Sequence, residues 1–266
     1  RSKVVSAARE SGYISRKPNG RRYIGLIVPD LKNPFYNEII QGVMDTAALS
    51  SCGILLWSSS AGLESSSPSI FTSDLAVDGV ISTQLLYPDS LIFKSLPKGI
   101  PLVQCCEYNE ELPFPIVSID NYASAYNAVS HLINLGRRDI AFFGSSSASM
   151  YTVLREQGFR DAMADYGLPV NESWVLHLGD VDYNLAVSAS DHLFSQPECP
   201  DAVFAVSDMY AAGVTRSARK LGLTIPEDVS VVGFDDTDVA KINEPPLTTI
   251  RQPSYKMGCF ACSMLL

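Results

Sequence analysis

No apolar run in this 266-residue chain approaches the length of a membrane span. The longest, such as Tyr23 to Val28 and Ser230 to Phe234, are strand-sized, whereas a spanning helix needs about 20 apolar residues. Residues 1–22 lack the basic, apolar and small-residue succession of a secretory signal, so a cytoplasmic location is expected and no membrane partner. No G-x-G-x-x-G follows a strand candidate, no G-x-x-x-x-G-K-[ST] occurs, and there is no G-x-S-x-G elbow. Histidine is scarce: His131, His177 and His192 fall in unrelated segments and form no relay. The six cysteines give no metal framework. Cys259 and Cys262 form a CxxC with no second pair and no neighbouring histidine. Cys105 and Cys106 are adjacent in an apolar run, and Cys52 and Cys199 are isolated. Buried, reduced thiols are the expected state. The expectation is therefore no metal, no cofactor and no catalysis: a protein that binds and does not turn over.

What is present begins with a core. At 46% hydrophobic, the chain can bury a large interior, most naturally as two subdomains. Charge is unevenly divided. Residues 1–22 hold seven basic groups against one acid, so the rest of the chain carries −15 out of a total of −9. A basic arm on an acidic body directs only the arm toward a polyanion, through Arg16, Lys17, Arg21 and Arg22, unless it is simply a solvated tail.

From Tyr23 onward, short apolar runs alternate with helical patterns. YIGLIVP, GILLWSS, GVIST, PLVQCC and IVSID are followed by DIAFFGS, WVLHLG, AVFAVS and VSVVGFDD. Between them lie amphipathic segments. In Asn33 to Ser51, Phe35, Ile39, Val43 and Ala47 recur every fourth residue; in Thr152 to Tyr166, Val153, Phe159 and Met163 share a side. Continuous apolar strands alternating with helices predict parallel sheets covered on both faces. The fold class is α/β, with two doubly wound parallel-sheet subdomains joined by crossover strands and a ligand cleft between them. The first subdomain is expected over 23–120, completed by 252–266 after LTTIRQPSYKMG crosses back. The second spans 121–251, and 1–22 stands apart.

Ligands of such sheets bind beyond the carboxyl ends of the strands. That rule selects Asp30, Asn33, Phe35 and Tyr36 after the first strand, and the loop Ser145 to Tyr151, with Ser149, together with Arg155. It also selects Asp180 to Tyr183, with Val181, then Ser207 and Asp208, and finally Asp235 with Asp236. Aromatic faces beside carboxylates and a guanidinium suit the C–H patches and hydroxyls of a sugar, or a nucleoside. Singly, each has a plainer role. Phe35 and Tyr36 could staple a helix start, Asp208 could be an N-cap and Asp235 a turn residue.

Several strings carry a family resemblance. IGLIVPDLKNPFYNEIIQGV, VSIDNYASAYNAVSHLINLGRRDIAFFG, REQGFRDAM and above all IPEDVSVVGFDD with LTTIRQP are similar to the lactose/galactose repressor family of bacterial transcription regulators. Its core is shared with periplasmic sugar-binding proteins. The resemblance implies an effector-binding and dimerisation core whose operator affinity answers to a small molecule. It implies that Phe35 and Tyr36 sandwich the ligand, Arg155 grips its hydroxyls and Asp235 opposes them. Ser149 and Tyr151 add polar contacts, and Ser207, beside Asp208, stands where many members have Asn. An aromatic usually closes over the ligand at Val181; either Tyr183 substitutes or that side holds less tightly.

SKVVSAARESGY resembles the last helix of the family's helix-turn-helix headpiece, so the chain is expected to begin inside it. GYISRKPNGRRYIGLIV shows no Ala-Arg-x-Leu hinge pattern of the kind that wedges a leucine into the minor groove. Neutralising about six phosphates, the arm alone would bind DNA with a log–log salt slope near −5. The chain is expected to stop inside the helix that returns to the first subdomain. Dimerisation is expected through Gln41 to Leu49 and Ser69 to Asp78. A transporter's solute-binding receptor is the alternative that the same core would serve.

Overall fold

The computed structural model describes residues 22–58 and 77–266. Arg16, Lys17 and Arg21, and residues 69–76 of the expected dimerisation helix, lie outside them; Val77 and Asp78 are not helical. The first sheet is built from β1 (Arg22–Val28), β2 (Cys52–Ser58), β3 (Gly79–Ser82), β4 (Leu102–Cys105) and β5 (Ile116–Val117). The second contains β6 (Ile140–Gly144), β7 (Val175–His177), β8 (Ala202–Ala205), β9 (Ser230–Asp235) and β10 (Thr248–Arg251). Their orders are β2-β1-β3-β4-β5 and β10-β9-β8-β6-β7, and every pairing is parallel. Read from β7, the second order repeats the first: the second strand, then the first, third, fourth and fifth. The chain therefore folds the same doubly wound unit twice.

Helices cover both units: α1 (Phe35–Leu49), the short α2 (Leu91–Ser95), α3 (Asn121–Asn134), α4 (Met150–Asp165), α5 (Tyr183–Phe194), α6 (Asp208–Lys220), the short α7 (Asp238–Ile242) and α8 (Ser254–Leu265). The expected four-residue stripe of α1 is real, since Phe35, Ile39, Val43 and Ala47 are all buried against Leu26 and Val28. On α4 the buried line is Thr152, Arg155, Phe159, Ala162 and Met163, while Val153 is exposed. Val153 lies six residues before Phe159, about 120° around the helix from its face, so the expected pairing of the two fails. The second sheet's core is aromatic: Phe142 stacks with Phe159 and Phe204, and Phe204 with Phe234.

After β10 the chain leaves the second sheet, and α8 packs along α1 with Met257, Ala261 and Cys262 in the first sheet's core. Glycine permits that approach. A Cβ on Gly42 would lie 2.1 Å from the Tyr255 carbonyl oxygen, and one on Gly258 would lie 2.2 Å from that of Ile39. No helix among the described residues is long and apolar enough to cross a membrane. Of the thiols, Cys105 and Cys262 are buried, but Cys199 is exposed, because it sits in the Ser195–Pro200 turn outside either core.

Candidate functional site

Both sheets turn their carboxyl edges toward one cleft, which encloses about 440 Å³ of space, part of it open to solvent. The first unit supplies Asn33, Phe35 and Tyr36; the second supplies Tyr151, Arg155, Val181, Val206, Ser207 and Asp235. Cys106 and Glu107 follow β4, and Ser118, Asn121 and Gln252 lie on the two segments that pass between the sheets.

The PDLKNP turn is shaped by its own side chains. The Asp30 carboxylate accepts hydrogen bonds from the Lys32 and Asn33 N–H groups, and Asn33 Oδ1 accepts one from Phe35 N–H at 3.1 Å. This sets the start of α1 without an N-cap side chain and holds Phe35 edge-on to Tyr36, with ring centroids 5.3 Å apart. Both rings are mostly buried yet line the cleft. The residues that open the helix thus also face the cleft. Burial pushes the Tyr36 pKa up, so its hydroxyl stays protonated.

Arg155 is the cationic side chain that lines the cleft. Its Nε donates to Asn121 Oδ1 at 2.9 Å and its Nη1 to the Val206 carbonyl at 2.6 Å. The guanidinium carbon lies 3.4 Å from the centroid of the Phe234 ring and 4.9 Å from that of Tyr151. Burial lowers its pKa while Asp235 raises it, and an arginine remains charged throughout. Asp235 forms no ion pair with it. Instead, Oδ1 accepts from Gln252 Nε2 at 2.7 Å, and burial pushes the carboxyl up to about 8 against the opposing pull of Arg155. Asp235 and Asp236 have φ of 119° and 59°, a left-handed pair that turns the strand end into the cleft. Asp235 is therefore a turn residue and a cleft residue together. Tyr151 shares a 2.5 Å hydrogen bond with Ser145, and burial raises its pKa.

Asp30, Ser149, Tyr183 and Asp208 lie outside the cleft lining, as do Asp180 and Asp236. Asp30 is committed to the Asx turn described above. Ser149 occupies the N-cap of α4 but makes no side-chain cap. Tyr183 opens α5 and borders a separate surface pocket with Arg216 and Arg219, so of the two only Val181 lines the cleft. Asp208 is buried and structural: Oδ2 accepts from Thr237 N at 2.7 Å and Oδ1 from Thr249 Oγ1 at 2.6 Å, binding α6 to the strand ends beside it. Ser207, not Asp208, caps α6, accepting from Tyr210 N–H at 3.2 Å.

Glu107, Cys106, Ser118, Asn121, Val206 and Gln252 were not selected from sequence. Glu107 was within reach of the strand-end rule, since it stands two residues past β4. It is buried, and it accepts from Tyr151 N–H through Oε1 and from Met150 N–H through Oε2, both at 3.0 Å. Burial pushes its pKa up; the two N–H groups and Arg155 pull it down. Ser118, Asn121 and Gln252 carry no local signal, because their place depends on where the chain crosses. Among the described residues no cluster of histidine, cysteine and carboxylates could hold a metal.

Comparison with known proteins agrees with this geometry. The family profile of a Periplasmic binding protein-like domain matches residues 129–266. The HTH-type transcriptional repressor CytR of Escherichia coli (strain K12) is 34% identical over 279 residues, a match covering 100% of this chain and 80% of that protein. The structure of an uncharacterized protein from Actinobacillus succinogenes superposes with a TM-score of 0.83 at 32% identity, covering 91% of this chain and 90% of that one. A complex of the transcriptional regulator CelR with cellobiose superposes with a TM-score of 0.78 at 32% identity, over 98% and 81%.

Proposed function

Because this chain belongs to the LacI family of transcriptional regulators, we propose that its cleft binds a small sugar or nucleoside that controls operator affinity. The chain is the effector-binding and dimerisation core of a bacterial DNA-binding regulator, a repressor like its relatives. The observation that carries the ligand reading is the meeting of Phe35 and Tyr36 from one sheet with Arg155 and Asp235 from the other. Rings take the C–H face of the ligand, the free guanidinium edge donates to its hydroxyl oxygens, and the Asp235 carboxyl group accepts from its hydroxyls. A protein of the same fold holds cellobiose.

The lobes are 22–120, which opens with Arg22 in β1 and is completed by 252–266, and 121–251. Ligand shifts the lobes relative to one another, and a tenfold change in operator affinity needs about 1.4 kcal/mol of differential binding. The homodimer forms through the outer faces of α1 and α8, where Met44, Leu49, Phe260 and Met264 are exposed. Operator DNA is its macromolecular partner. The protein works in the cytoplasm, needs no cofactor and catalyses nothing.

A thermal-shift panel of pentoses, hexoses, disaccharides and nucleosides tests this. At least one compound raises the melting temperature, is recovered unchanged, and alters operator affinity in the headpiece-bearing protein. A ligand that is consumed, or one with no effect on DNA binding, contradicts the proposal.

A further inference from the structure

The first turn of α4 opens at the cleft, and the N-terminus of a 16-residue helix is where an anion such as phosphate is ordinarily bound. Here those donors are taken. Glu107, from the opposite lobe, places one carboxylate oxygen on each of the first two N–H groups, Met150 and Tyr151, at 3.0 Å. α3, α5 and α6 are capped instead by the residue just before them, Asp120, Asp182 and Ser207. Ser149 could do the same for α4 and does not. The cleft's cation is largely committed as well. Arg155 spends Nε and Nη1 on Asn121 and Val206 and lays its flat face on Phe234, which leaves the Nη2 edge. The cleft lining thus has one partly used guanidinium and two carboxyl groups, Glu107 and Asp235, and no lysine.

We infer that the cleft selects an uncharged effector over its phosphorylated counterpart, and that Glu107 sets this choice by occupying the α4 N-terminus. A phosphate would have to displace the Glu107 carboxylate from its two N–H donors and leave that charge buried, or lie against it. A hydroxyl or amino group meets the opposite situation, because both carboxyl groups accept its hydrogens. This rests on the reading of the cleft as a small-molecule site and narrows the ligand class within it.

The test is titration calorimetry with matched pairs: uridine and adenosine against their 5′-monophosphates, and glucose and cellobiose against their phosphates. For each uncharged compound that binds, the phosphate is expected to bind at least tenfold more weakly. Glu107→Gln narrows that ratio at least threefold, whereas Glu107→Asp keeps it. A phosphate that binds as tightly as its parent, or better, overturns the inference and leaves the small-molecule site standing. So does an unchanged ratio in folded Glu107→Gln. If no member of any pair binds, the small-molecule reading and the inference fail together. Should Glu107→Gln not fold, the pairs measured on the unmodified chain still decide.

Discussion

Replacing Asp235 with asparagine is expected to flatten the loss of stability as pH rises from about 4 to about 8. In the folded chain burial lifts this carboxyl from the ordinary 3.8 to about 8, so the native state holds its proton far more tightly than the unfolded state does. A raised carboxyl pKa contributes stability that is complete below pH about 4 and is lost as pH climbs through about 8. At about 1.4 kcal/mol per pH unit, the full gap amounts to roughly 5–6 kcal/mol. Opening of the lobes wets the carboxylate and limits the loss, so a fall of at least roughly 2 kcal/mol is expected between pH 5.5 and 8.5. Asn keeps an acceptor for Gln252 but has no proton to lose. Glu107 and Asp208, whose pKa values burial also raises, contribute slopes of the same sign in both proteins, so the difference isolates Asp235. Urea unfolding of native chain and variant at matched pH values provides the comparison. Parallel curves would refute the reasoning.

Arg155→Ala is expected to abolish ligand-induced stabilisation. It should also cost roughly 2–4 kcal/mol of intrinsic stability in denaturant, because Asn121 and the Val206 carbonyl lose a charged donor. An unchanged denaturation midpoint would show that these bonds are not formed in solution. Gly258→Val drives a side chain into the Ile39 carbonyl and is expected to detach α8 from α1, lowering the melting temperature by several degrees, since overpacking costs about 1–3 kcal/mol or more. Hydrogen exchange should show faster exchange in α8 and α1 and little change in β6 to β9. Ligand hydroxyls donating to Asp235 favour its charged form, so binding at pH 7 should release up to one proton. Calorimetry in two buffers of different ionisation enthalpy measures this, and net proton uptake contradicts it.

The fold was legible because its signals are local. Apolar runs and four-residue stripes marked the five strands of the first sheet and four of the second, while β10 was read only as part of the crossing segment LTTIRQP. The strand-end rule together with the family resemblance marked Phe35, Tyr36, Arg155 and Asp235, and the structure brings all four to one cleft. The misreadings have a common cause: the strand-end rule gives a residue's neighbourhood and not its direction. Asp30 and Asp208 stand at strand ends, but their carboxylates turn back to hold backbone and threonine partners. Tyr183 is only two residues from Val181, yet it opens the next helix and faces another pocket. Glu107 was passed over because its partners are backbone amides more than 40 residues away, a pairing with no pattern in the chain.

An uncharged small molecule is expected to bind between the lobes against Phe35. Titration calorimetry of the panel's best compound into the native chain and into Phe35→Ala tests it most directly. A micromolar dissociation constant, corresponding to about 8 kcal/mol of binding, that weakens at least tenfold in a folded Phe35→Ala is the predicted result. Equal affinity in the two proteins would contradict it.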